Sequence, residues 1–128
     1  MRLGYSIVYV PDVEEAVDFY ERAFGIEREF VHESGQFAQM ATGATKLAFT
    51  SHELGATAVP IAYVHSELSS APPGFELTLT DDDVPAAFAR AVAAGATSLA
   101  EPHETPGGQT VSYVRDHVGT LGVIASPM

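Results

Sequence analysis

Glu76 is the most suggestive chemical group in this sequence, because the stretch Phe75–Thr80 in which it lies alternates like a β-strand. Successive strand residues point to opposite faces, so Phe75, Leu77 and Leu79 share one face, and Glu76, Thr78 and Thr80 share the other. A carboxylate in an apolar cleft has a raised pKa unless a partner holds its charge. Such a group anchors a cationic ligand or accepts a proton from a substrate. Satisfied by an Arg, a Tyr or a backbone N–H, it is only structural. The first strand-like stretch, Tyr5–Val10, divides in the same way. Val8 and Val10 make a smooth aliphatic set suited to a covering helix, which leaves Tyr5, Ile7 and Tyr9 on the opposite face. Tyr5 and Tyr9 there are either ordinary packing or stacking and cation–π surfaces for a flat ligand.

Other chemistries are excluded or weakly supported. Cysteine is absent, so there are no disulfides, thiolate metal sites or thiol nucleophile. His32, His52, His65, His103 and His117 show neither an i, i+4 pair nor a short paired spacing, and read as loop or surface residues. Gly107-Gly108 is too short for a phosphate cradle and no Lys follows it. The Asp81-Asp82-Asp83 run reads as the start of a helix, where anions suit the dipole. Seventeen acidic against six basic residues give a net charge of −11, a poor match for nucleic acid or an anionic membrane. That balance is either a solubility device or an attraction for cations. No apolar stretch approaches the roughly 20 residues of a membrane span. The opening MRLGYSIVYVPD lacks the pattern of a signal peptide. A soluble, cytoplasmic protein is expected.

The elements that must carry these side chains are legible twice over. Asp12, with Glu15 three residues later, caps a helix whose apolar face is Val13, Ala16, Val17, Tyr20 and Phe24, and Gly25 ends it. Strands follow near 27–33, 36–42 and 45–50, broken at Ser34-Gly35 and Thr42-Gly43. The order then returns: the strand 75–80, a helix capped by Asp83 and ended by Gly95, and strands near 97–100, 110–115 and 120–125. The chain of 128 residues reads β-α-β-β-β twice, as one domain. Module one spans 1–50, a connecting arm 51–73 and module two 74–128.

This repeat resembles the vicinal oxygen chelate superfamily of glyoxalases, bleomycin-resistance proteins and extradiol dioxygenases. The resemblance is carried by Tyr9-Val10-Pro11-Asp12 leading to Phe19-Tyr20 and Phe24-Gly25, by Ala93-Ala94-Gly95-Ala96, and by Tyr113-Val114-Arg115-Asp116 leading to Gly119-Thr120. It implies an α+β fold of two βαβββ modules, with an open, curved mixed sheet around a cavity and helices outside. It also places Leu121 and Val123, with Leu47 and Phe49, on the cavity face. Metal-using members carry His, Gln or Glu at four cavity positions, which here hold Tyr5, Leu47 (or Phe49), Glu76 and Val123. Only Glu76 among these is an ordinary ligand for a hard or borderline cation, so no metal and no other cofactor is expected.

The resemblance therefore points to a metal-independent protein that binds a small molecule, sequestering a cationic aromatic compound as bleomycin-resistance proteins do. The expected ligand-binding set is Tyr5, Ile7, Tyr9, Leu47, Phe49, Glu76, Thr78, Leu121 and Val123. The alternative is a divergent glyoxalase- or dioxygenase-type enzyme that uses Glu76 as its catalytic residue, with or without a divalent metal. A homodimer is expected, joined in part by the apolar Pro60–Val64 stretch of the arm.

Overall fold

Asp12 opens the first helix as its side chain accepts a hydrogen bond from the Glu15 N–H at 3.0 Å, and Gly25, at φ 66°, closes it in the left-handed conformation. Between them α1 (Val13–Phe24) buries Val13, Ala16, Val17, Phe19, Tyr20 and Ala23. The computed structural model describes residues 1–128 as two compact units, Met1–His65 and Ser66–Met128.

In the first unit β1 (Tyr5–Val10), β2 (Arg28–Val31), β3 (Phe37–Met40) and β4 (Lys46–Ser51) form an open sheet in the order β1-β4-β3-β2. β1 and β4 run parallel, and the remaining pairs are antiparallel. The core lies between this sheet and α1, where Val8, Val10, Ala38, Met40 and Phe49 are buried. Arg28 binds Glu14, Asp18 and Glu21 on α1, fastening β2 to the helix. Its guanidinium holds the Glu21 carboxyl below the usual carboxylate range.

The second unit repeats the plan. β5 (Leu77–Thr80), α3 (Val84–Ala93), β6 (Thr97–Glu104), β7 (Thr110–Arg115) and β8 (Leu121–Ala125) build a mixed sheet in the order β5-β8-β7-β6. Asp83 caps α3 through the Ala86 N–H at 3.1 Å, and Pro85 lies in the first turn, where a backbone N–H is dispensable. The fold is α+β, two βαβββ modules with open sheets.

Three elements differ from the sequence reading. β6 runs on to Glu104, past the expected end at 100, and takes His103 into the strand. β5 begins at Leu77, so Phe75 and Glu76 precede the strand instead of opening it. The arm also begins with a helix, α2 (His52–Ala58), which Ser51 caps by accepting from the Leu54 N–H at 3.0 Å. Seven residues are too few to show a helical period, which is why the pattern passed as a loop.

Candidate functional site

Strand register decides which side chains the first sheet offers. Tyr5, Ile7 and Tyr9 pair with Lys46, Ala48 and Thr50, so these six share the face away from α1. Tyr5 is 57% exposed and Ile7 41% exposed on that face, while Tyr9 is half-buried. Leu47 and Phe49 do not join them. Phe49 pairs with Val8, is fully buried, and meets the ring of Tyr20 on α1 at 4.9 Å. Leu47, two residues earlier on the strand, shares that helix-facing side and is also buried. The expected cavity positions Leu47 and Phe49 are therefore core. A bulge between Arg28 and Phe30 turns β2 so that Phe30 meets Phe37, while Glu29 reaches Lys46 at 2.7 Å and accepts from Gln39.

In the second unit Thr78 pairs with Val123, and Val123 with Tyr113; Leu121 is two residues from Val123 on the same face. Val111, Val123 and Ala125 cluster there against Tyr113, whose ring stacks on His103. Glu76 stands at the start of this row and is exposed, not in the apolar cleft expected for it. Its Oε1 accepts a hydrogen bond from Thr78 Oγ1 at 2.8 Å.

The motif Tyr113–Thr120 is a braced turn. Asp116 is buried, and its Oδ1 accepts from the N–H groups of Val118, Gly119 and Thr120 at 2.9–3.0 Å. Arg115 donates to the carbonyls of Gly119, Glu67 and Leu68, which ties residues 67–68 to the turn. Gly119, at φ 102°, must be glycine, because a Cβ there would come within 2.8 Å of the Glu67 carbonyl carbon. Arg115, Asp116 and Gly119 thus brace the turn.

The sequence reading missed one cluster. Behind α2 the chain turns back over residues 59–65 and lays Tyr63 on Tyr9, ring centroids 4.9 Å apart. Tyr63 Oη lies 2.9 Å from His52 Nδ1, and the rings of His52 and His65 stack at 3.6 Å and 8°. Burial and the adjacent His65 push the His52 imidazole below its ordinary value; burial and Tyr9 push the Tyr63 phenol up. Both are thereby favoured in their neutral forms at neutral pH. A cavity of about 450 Å³ opens beside them. Ser51 before His-Glu-Leu and Pro60 after Val59 were the only sequence signals for this helix and return.

The four positions that hold a metal in metal-using relatives do not fit one here. They carry a phenol (Tyr5), a core leucine (Leu47), an exposed carboxylate (Glu76) and a valine (Val123), and nowhere does the chain gather three His, Cys, Asp or Glu side chains in an arrangement that could hold a metal ion. Two acceptable donors at most cannot close a divalent site. No helix is long and apolar enough to cross a membrane.

Comparison with known proteins agrees with the architecture. A glyoxalase-related enzyme from Fulvimarina pelagi superposes with a TM-score of 0.84 at 22% identity, covering 99% of this chain and 88% of the other. A glyoxalase/bleomycin resistance protein/dioxygenase family enzyme from Burkholderia phytofirmans PsJN gives 0.80 at 22% identity, over the full length of both chains. TioX from Micromonospora sp. ML1 gives 0.70 at 21% identity, again over both full lengths. At such identities the likeness is one of fold. No curated protein sequence matches significantly. The family model of the Glyoxalase/Bleomycin resistance protein/Dioxygenase superfamily matches residues 2–122, and the chain belongs to that superfamily.

Proposed function

We propose that this chain is a metal-independent small-molecule-binding protein that sequesters a flat, cationic aromatic compound on the open face of its first sheet. The observation that carries this reading is the exposure of Tyr5 and Ile7, at 57% and 41%, beside Tyr9 on a sheet face turned away from α1. Large apolar side chains grouped on an exposed face mark a binding surface. The exposed Tyr5 ring, with the part of Tyr9 that Tyr63 leaves open, supplies stacking and cation–π attraction, roughly 0.5–2 kcal/mol for a well-placed cation. The net charge of −11 attracts cations and repels anions. The donor set at the family's metal positions supports metal independence, and binding of this kind asks only for concave apolar surface with a few polar anchors.

Calorimetric titration with bleomycin-type compounds and acridinium dyes tests the reading. Binding at millimolar affinity or better, weakened about five- to tenfold by Tyr5→Ala, is expected. Silence across the whole panel overturns it. Metal analysis of tag-free protein purified without chelator is expected to show well under one ion per chain. One firmly held divalent ion per chain would favour a divergent enzyme instead.

The proposal includes a homodimer. Ile61 and Val64 stand 74% and 78% exposed on the arm, a large apolar display for a loop in water. Tyr63, by contrast, is engaged within the first unit, so a charge at that position would disrupt the unit and report nothing on assembly.

A further inference from the structure

The cavity behind α2 is built from residues that no family position accounts for. Its apolar wall is Ala56, Val59, Pro60 and Ile61, and its polar wall is His52, Tyr63 and His65. About 450 Å³ is the size of a small-molecule pocket, which runs from roughly 300 to 1,000 Å³. The character of its occupant follows from what the walls can satisfy.

A shared metal ion is excluded by ring geometry. An imidazole nitrogen directs its lone pair in the plane of its ring, about 2.0–2.1 Å from a bound zinc. The rings of His52 and His65 are nearly parallel and 3.6 Å apart. An ion between them would sit far outside both planes. Charged organic ligands are also disfavoured, because no Lys, Arg, Asp or Glu lines the cavity. What the walls do offer is flat ring surface and one hydrogen-bonding pair. His52 Nδ1 is engaged with Tyr63 Oη at 2.9 Å, which leaves His52 Nε2 and the phenol oxygen to meet a ligand.

We propose that this cavity is a second binding site, adjoining the open sheet face at the Tyr9–Tyr63 contact, for an uncharged flat aromatic molecule bearing one hydroxyl or carbonyl, which packs on the ring face that the His52–His65 stack leaves open and hydrogen-bonds to the His52–Tyr63 pair. The depressed basicity of His52 agrees, since it keeps that pair neutral near pH 7. Gly55 belongs to the same construction. A Cβ there would fall 2.5 Å from Tyr63 Oη and 2.8 Å from Tyr9 Cδ1, so only glycine lets the aromatic rings close on α2.

The test uses 2-naphthol on the intact chain at pH 7, by calorimetry and by NMR of the histidine ring protons, with 2-naphthoate as the charged control. Millimolar or tighter binding of 2-naphthol is expected, at least tenfold weaker binding of 2-naphthoate, and shifts at the His52 and His65 ring protons. His52→Phe keeps a ring for stacking and removes the hydrogen bond, and is expected to weaken binding about fivefold. Ala56→Trp, at an exposed helix position, is expected to fill the cavity and abolish binding. Acridinium binding, which reports on the sheet face, is expected to respond to Tyr5→Ala and not to His52→Phe. No binding of 2-naphthol at millimolar concentration overturns the proposal. So does equal binding of 2-naphthoate, or wild-type binding that leaves the His52 and His65 resonances unmoved.

Discussion

Val8 and Phe49 are lateral neighbours on the parallel strands β1 and β4, and both side chains are buried on the α1 side of the sheet. Removing the Phe49 ring opens a cavity against Tyr20. Phe49→Ala is expected to destabilise the chain by about 3–5 kcal/mol in chemical denaturation. Tyr5→Ala, on the opposite face, is expected to change stability little and ligand affinity measurably. A mild effect of Phe49→Ala on stability would return this residue to the ligand face.

Gly55→Ala separates packing from propensity. In an exposed helix, alanine in place of glycine stabilises by about 1 kcal/mol. Here the new Cβ meets Tyr63 and Tyr9 at 2.5 and 2.8 Å. The expected sign is therefore reversed, to a loss of about 1–3 kcal/mol in denaturant melts. The tyrosine ring resonances should shift with it.

His52 makes stability depend on pH in a defined direction. Its folded pKa lies below the ordinary histidine value of about 6.5, so the unfolded chain takes up the proton first as pH falls. Above that value the effect vanishes. From about pH 6.5 downward, through the lower folded pKa, the folded state loses stability. Melting temperatures between pH 7.5 and 5 should therefore fall more steeply for the wild type than for His52→Phe. The Glu21–Arg28 contribution behaves differently, being lost only when Glu21 protonates at lower pH.

Asp116 is expected to be among the costliest polar residues to remove. Asp116→Ala strands two N–H groups, at Val118 and Thr120, and leaves Gly119 N–H only the Asp116 backbone carbonyl, with a predicted loss of about 2–4 kcal/mol. Asp116→Asn keeps an acceptor oxygen and should cost distinctly less. Equal losses for the two would show that the charge, and not the acceptor, braces the turn.

Assembly is checked by light scattering at micromolar concentration. A mass twice that of the chain is expected, shifting toward monomer on Val64→Asp, since Val64 is 78% exposed and absent from the aromatic stack. A monomeric wild type would refute the dimer.

Local chemistry by itself determined the two-fold repeat of elements. Asp12 and Asp83 cap helices, Gly25 and Gly95 take positive φ beyond them, and strand alternation sorts Tyr5, Ile7 and Tyr9 from Val8 and Val10. Each of these depends on residues a few positions apart, so the linear order carries it. Tertiary structure alone decided the rest. Alternation divides β4 into two sets, but only its register against β1 sends Leu47 and Phe49 to the helix. Glu76 is exposed along with Thr78 and Thr80, which share its side of β5, and alternation sorts residues onto a side without saying whether that side is covered. His52, Tyr63 and His65 are separated by up to thirteen positions and show no period. They meet because α2 reverses the chain at Val59–Ala62, and a seven-residue helix takes its stability from packing, which no local pattern records.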